Sequence, residues 1–170
     1  LPGLIISFVL LYYGITGVFL NHRKLFSGID INRKILPKNY AYENWNNASL
    51  KGNVIIGSDS ILVYGNIGMW LTDSAYRRYT PFNQGFPQGS DNRKIFDVHV
   101  DKNGSIYAAT LYGLYTCNRT NPEWKKVELH GDSERFTGIE SIGDTLYVIN
   151  RSYLFKGKAD GIHTHFARYE

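Results

Sequence analysis

The chain has 170 residues, 43% of them hydrophobic and 20% charged, with a net charge of +4. That is one ordinary domain with a normal core, and the apolar content with modest charge excludes a disordered chain. A single cysteine, Cys117, excludes an internal disulfide framework and any Cys-rich zinc module.

The first element in the chain is a membrane span over residues 1–22. The run LPGLIISFVLLYYGITGVFL carries no charge, and a helix of about 20 residues rises about 30 Å, the thickness of the hydrocarbon core. The apolar run is longer than the core of a cleaved signal peptide, and Asn21-His22-Arg23-Lys24 follows it directly. With no initiator Met and no basic residue before the span, the chain reads as part of a longer polypeptide. Gly3, Ser7, Gly14 and Gly17 fall on one stripe of the helical wheel, within about 80° at 100° per residue. Small residues on one stripe allow close approach of another helix in lipid, so docking on other transmembrane helices or membrane-complex subunits is expected. The basic flank His22, Arg23 and Lys24 favours a cytoplasmic C-terminal side, but the rule compares two flanks.

Residues 23–50 are polar and irregular and read as a linker. Beyond them, residues 51–170 hold a pattern that recurs three times: SILVYGNIGMWLTD from Ser60, SIYAATLYGLYTCN from Ser105 and TLYVINRSYLFKGK from Thr145. Each copy has two apolar residues, a short turn containing Gly68, Gly113 or Ser152, then Met or Leu and an aromatic: Trp70, Tyr115 or Phe155. The copies are spaced roughly 40–45 residues apart, the period of four-stranded propeller blades. A strand-like stretch precedes each copy (NVIIGSD, IFDVHVDKNG, FTGIESIGD), with turn residues between. A polar alternating stretch follows each (YRRYTPF, EWKKVEL, THFARYE), as expected of a solvated edge strand carrying basic residues. The predicted fold is therefore mainly β: three propeller-blade-like antiparallel repeats (about 51–92, 93–133 and 134–170) preceded by one transmembrane α-helix. Closed propellers have about four to eight blades, so three imply an incomplete or open propeller, or further strands beyond Glu170.

GITGVFLNHR at the end of the span, the segment around YENWNNASLKG, and YGNIGMW…DNRKIFDV…LYGLY together resemble the PepSY-associated transmembrane helix family in its Bacteroidetes form. The resemblance covers nearly the whole chain. It implies a bacterial inner-membrane protein whose propeller-like domain lies in the periplasm, with further spans later in the polypeptide. It also implies a link to iron or siderophore reduction, or to electron transfer with haem held between helices. No PepSY motif itself occurs in these residues.

Hydrolase and P-loop motifs are absent, and the mixed charges leave no nucleic-acid surface. No catalytic residue and no metal ligand set is assigned. His22, at the membrane boundary, is the candidate haem ligand, with interfacial anchoring as its plainer role. His163 and His165, spaced two apart, would share one strand face; His99 and His130 read as structural. Trp45, Asn46 and Asn47, with Asp91, Asn92 and Arg93, are candidates for a partner surface, with turn building as the plainer alternative. Asn-x-Ser/Thr sequons occur at Asn47, Asn103, Asn118 and Asn150. Three function classes stay open: an extracytoplasmic part of a PepSY-type redox protein, a non-catalytic accessory subunit docking on a larger membrane complex, and a sensor whose propeller signals through the helix.

Overall fold

A computed structural model describes residues 2–29, 49–129, 134–158 and, for the backbone, 166–169. The chain is mainly β, with three open antiparallel sheets following one apolar helix. Helix α1 (Pro2–Asn21) is exposed along its length, and among the described residues it is the one helix long and apolar enough to cross a membrane. A second, one-turn helix, α2 (Arg23–Phe26), follows at once.

Each sheet is a four-stranded meander. Blade 1 contains β1 (Leu50–Gly57), β2 (Ser60–Gly65), β3 (Gly68–Thr72) and β4 (Tyr79–Pro81). Blade 2 contains β5 (Ile95–Val100), β6 (Ser105–Thr110), β7 (Gly113–Asn118) and β8 (Asn121–Lys126). Blade 3 contains β9 (Phe136–Ile142), β10 (Thr145–Asn150), β11 (Leu154–Lys158) and β12 (Phe166–Tyr169). Strands neighbour one another in sequence order within every sheet, because short turns join antiparallel partners. Blade 2's first hairpin shows the turn chemistry: Asp101 Oδ1 accepts from the Asn103 and Ser105 amides at 2.8 and 2.9 Å, and Gly104 takes φ +82°.

Period-two alternation decides how the blades stack. On β6, Ile106 and Ala108 turn toward blade 1, where Ile56, Leu62, Tyr64 and Met69 meet them, while Tyr107 and Ala109 turn the other way into blade 3. There Phe136, Ile139, Leu146, Val148 and Phe155 complete a second core. Blade 2 is covered on both faces, so every residue of β6 is buried. Two apolar layers, each between neighbouring blades, thus take the place of one central core.

The outer strands are largely solvated, as expected: β4 is exposed throughout, and on β8 only Trp124 is buried. Pro81 and Pro122 lie on β4 and β8, where a missing N–H costs no ladder bond and discourages further pairing. Arg77 and Arg78, expected on the edge strand, precede β4. In EWKKVEL, Trp124 and Val127 are buried. The connection from β4 to β5 folds back over this edge: Phe86 stacks on Trp124 with centroids 4.9 Å apart, the Trp124 amide donates to Gln84 O at 2.9 Å, and its indole N–H donates to Phe82 O at 2.9 Å. An indole can be buried here because its one polar atom is satisfied.

Candidate functional site

The place where the apolar helix α1 meets the blades is the most elaborated polar site among the described residues. α1 stops at Asn21 because His22 leaves helical geometry (φ −110°, ψ 41°) before α2 begins. The Phe26 ring packs on Phe19, with centroids 4.3 Å apart, and holds the one-turn helix against the end of α1. Arg23 and Lys24, consecutive in the chain, then reach two different inter-blade connections. Arg23 grips Asp91 as a fork, with Nη2 donating to Oδ1 and Oδ2 at 2.9 and 2.8 Å and Nε to Oδ2 at 3.2 Å. Asp91 opens a short 3-10 turn leading into β5. Lys24 Nζ pairs with Glu134, which lies just before β9.

The β6–β7 turn sits among these ion pairs. The Leu111 amide donates to Lys94 O at 3.1 Å, and Leu111 O accepts from the Arg135 amide at 2.7 Å, so one turn of blade 2 ties both connections together. Arg135 adopts φ 55° to make that bond. Next to Leu111, the Tyr112 ring is only 8% exposed, and its hydroxyl has no hydrogen-bond partner. Burial raises the Tyr112 pKa, helped by the nearby Asp91 charge. The backbone also closes tightly here: Gly89, at φ +105°, lies so near the chain after α2 that a Cβ would stand 1.7 Å from Ser27 O.

A second polar group binds the blades to one another. Asp97, on the innermost strand of blade 2, accepts at Oδ2 from the Ile139 amide of blade 3 at 2.8 Å. Its Oδ1 accepts from the Val98 amide at 2.9 Å and, at a long 3.4 Å, from the Tyr64 hydroxyl of blade 1. One carboxylate therefore touches all three blades. Tyr64's pKa is pushed up, first by burial and then by the Asp97 charge.

The residues singled out in the sequence are distributed as follows. Gly3, Gly14 and Gly17 have nothing within 4 Å of an added Cβ, and Ser7 Oγ donates to Gly3 O at 2.9 Å along the helix. His22 is exposed at the α1–α2 break. Asp91 and Asn92, candidates for turn building or for a partner surface, bond their own chain: Asp91 pairs with Arg23, and Asn92 Nδ2 donates to Gln88 O and, at 3.5 Å, toward Ser27 O. Arg93 Nε reaches Gly89 O at 3.4 Å. Trp45, Asn46, Asn47, His130, His163 and His165 lie outside the described residues. Asn118 and Asn150, in sequons, build turns, with their Oδ1 atoms accepting from the Thr120 amide and from the Ser152 and Tyr153 amides. His99 sits on β5 opposite Tyr107 with a buried Nε2. Asp97, Tyr112 and Glu134 were missed; only Asp97 carried a signal, as an acid inside the apolar stretch IFDVHV.

Chemically the junction offers ion pairs and backbone hydrogen bonds between α2 and the inter-blade connections. Among the described residues no group of three or more His, Cys, Asp or Glu is placed to hold a metal ion. Cys117, in the wall of a cleft of about 230 Å³ beside Ser105 and Thr116, has its thiol pushed up to about 12 by burial and is no nucleophile at neutral pH.

No protein-family model matches the chain, and no curated protein matches it. Among the solved structures that match the chain are two that share its fold. Both are the extracellular domain of BT4673 from B. thetaiotaomicron, described in one as a candidate one-component system and in the other as a candidate hybrid two-component system. The first superposes with a TM-score of 0.55 at 16% identity over 72% of this chain, and the second with 0.56 at 16% identity over 74%. The chain spans only 17% and 16% of their lengths.

Proposed function

We propose that this chain is the membrane-anchored, outward-facing part of a sensor-type membrane protein, in which the blades are coupled mechanically to the membrane helix through α2. The observation that carries this reading is the double grip of Arg23 and Lys24 on the two inter-blade connections. A rigid-body shift of blade 2 against either neighbour strains one of the two ion pairs, and both pairs end on the same turn of helix. The fold likeness to extracellular domains of BT4673 supports the outward placement. In a bacterial host the blades then lie in the periplasm, and α1 crosses the inner membrane.

Two measurements test this. Protease added to spheroplasts should digest the blades; full protection until the membrane is broken would place them on the cytoplasmic side and end the proposal. Spin labels at Asn21 and at Thr137 should report one narrow distance that broadens in Arg23→Ala/Lys24→Ala. An unchanged distribution would mean that the grip couples nothing.

A second reading follows from the resemblance to PepSY-associated proteins: a role in iron or siderophore reduction, with His22 offering an axial imidazole to haem held between membrane helices. Its exposure at the end of α1 favours this. No other His lies on α1 or α2, so among the described helices His22 is the one imidazole and a further element would supply the second ligand. A Soret band in the purified protein that vanishes in His22→Ala supports it. Stoichiometric membrane subunits co-purifying without a haem spectrum point instead to the accessory role.

A further inference from the structure

The fold sorts charges that are mixed along the chain. Basic residues gather at the end of the blades that receives α2. Lys51 lies at the start of β1 and Lys94 just before β5, and their ammonium groups stand over the same Phe96 ring, 3.7 and 6.0 Å from its centroid. Arg93 precedes Lys94, Lys126 ends β8 beside Gly113 of the β6–β7 turn, and Arg135 and Arg151 flank the adjoining ends of β9 and β10. Lys51, Lys126, Arg135 and Arg151 are exposed. The described acids in the connections at this end are Asp91, Glu128 and Glu134, and Arg23 and Lys24 already hold Asp91 and Glu134. The opposite end is mixed: Asp73 pairs with Arg78 and Asp144 with Lys102, and Asp59 and Arg119 lie in turns of that same end.

Two further features belong to the basic end. Leu25 on α2 and Ile29 just after it are 78% and 66% exposed, beside Arg23 and Lys24 in the chain. Exposed apolar side chains next to basic ones suit the boundary between headgroups and acyl chains. Lys51 and Lys94 also repel: burial, and then the Lys94 charge, hold the Lys51 pKa below its ordinary value. An anionic oxygen between the two ammonium groups would offset both effects.

We propose that this basic end is a docking surface for anionic phospholipid headgroups, in the leaflet from which α1 emerges, with Leu25 and Ile29 seated at the acyl boundary. The proposal rests on the reading of α1 as the membrane anchor, which delivers this end of the blades, and not the mixed one, to the bilayer surface. Anionic lipid attracts clustered Lys and Arg within about one Debye length of that surface. The blades are then held down on the bilayer by charge as well as by the α2 junction.

The test uses the whole chain in nanodiscs of phosphatidylcholine alone, or of phosphatidylcholine and phosphatidylglycerol in equal parts. A fluorophore on Ser152→Cys, next to Arg151, is read against a quencher on headgroup-labelled lipid; the native Cys117 is buried and stays unlabelled. Quenching should rise at least about twofold with phosphatidylglycerol, and about 1 M salt, where the Debye length is about 3 Å, should abolish the rise. Lys51→Glu/Lys94→Glu/Arg151→Glu should lose the rise. Arg77→Glu/Arg119→Glu/Lys158→Glu makes the same charge change at the opposite end and should keep it. The lipid and salt comparisons on the parent chain decide the matter even where a variant does not fold. Equal quenching in the two lipids, or a rise that resists salt, overturns the proposal and leaves the anchor intact, as does a rise that both triple variants keep or both lose. Failure of the chain to enter nanodiscs of either composition overturns the anchor reading, and this proposal with it.

Discussion

Replacing Gly89 with Ala isolates the contact between the turn after α2 and the blades. Two costs are separable. The first is backbone strain: φ +105° is a conformation that L-residues rarely adopt, worth about 1–3 kcal/mol. Gly104, at φ +82° in the β5–β6 turn, carries a comparable strain but has nothing within 4 Å, so Gly104→Ala serves as the control. The second cost belongs to Gly89 alone. Its Cβ would stand 1.7 Å from Ser27 O and 2.7 Å from Ser27 C, and these are backbone atoms that cannot rotate away. Restoring ordinary contact moves the Ser27 backbone by roughly 1.5 Å or more. That pulls the Arg23–Asp91 fork, at 2.8–3.2 Å, out of hydrogen-bond range. Arg23 is about half exposed, so solvent screening holds the fork to roughly 1 kcal/mol. With the lost Lys24–Glu134 pair, the junction weakens by about 1–2 kcal/mol, or about tenfold in its opening equilibrium. Hydrogen–deuterium exchange of the peptide covering residues 23–29 should therefore run about tenfold faster in Gly89→Ala. In Gly104→Ala it should match the parent. Equal exchange in the two variants would refute the view that this contact holds α2 on the blades.

Three further outcomes are expected. Asp97→Ala removes the acceptor for the Ile139 amide and should lower stability by about 1–3 kcal/mol in urea titration, with the Ile139 amide exchanging faster. Tyr112→Phe should cost nothing or stabilise slightly, because it deletes a buried hydroxyl without a partner; a loss above about 1 kcal/mol in the same titration would mean that the hydroxyl is bonded. Stability should fall at both pH extremes in urea titrations across pH. Asp59, bonded by Ser74, and Asp73, by the Arg77 amide, are held below the usual 3.8. Their contribution is complete above that value and is lost as pH falls through the lower folded-state values. The Cys117 thiol, raised from 9.0 to about 12, contributes fully below pH 9 and is lost between those values. Iodoacetamide should accordingly label it at pH 8 only after unfolding.

The sequence by itself determined the long apolar helix, the three repeats, the four-strand order within each and most of the turns. All of these rest on interactions that reach two to four residues along the chain: alternation of apolar residues, Gly where φ is positive, and Asn or Asp bonding the next amides. Even the face assignments follow, since residues equivalent to Ile106 or Tyr107 repeat in each blade. Tertiary structure decided the rest. Arg23 and Lys24 read as the basic flank of a span, yet they hold Asp91 and Glu134, 68 and 110 residues away. With 19 basic and 15 acidic residues in the chain, nothing local pairs one with another. Trp124 and Val127 lie in a polar alternating stretch, and only the fold-back of the β4–β5 connection and the packing of blade 3 bury them. The fate of a face is likewise not written in its strand. Ile55 and Ile142 are as apolar as the residues buried between blades, and they stay exposed because no described blade stands beside them. Burial belongs to the stacking of sheets; local pattern settles which residues share a face, and packing settles whether that face is covered.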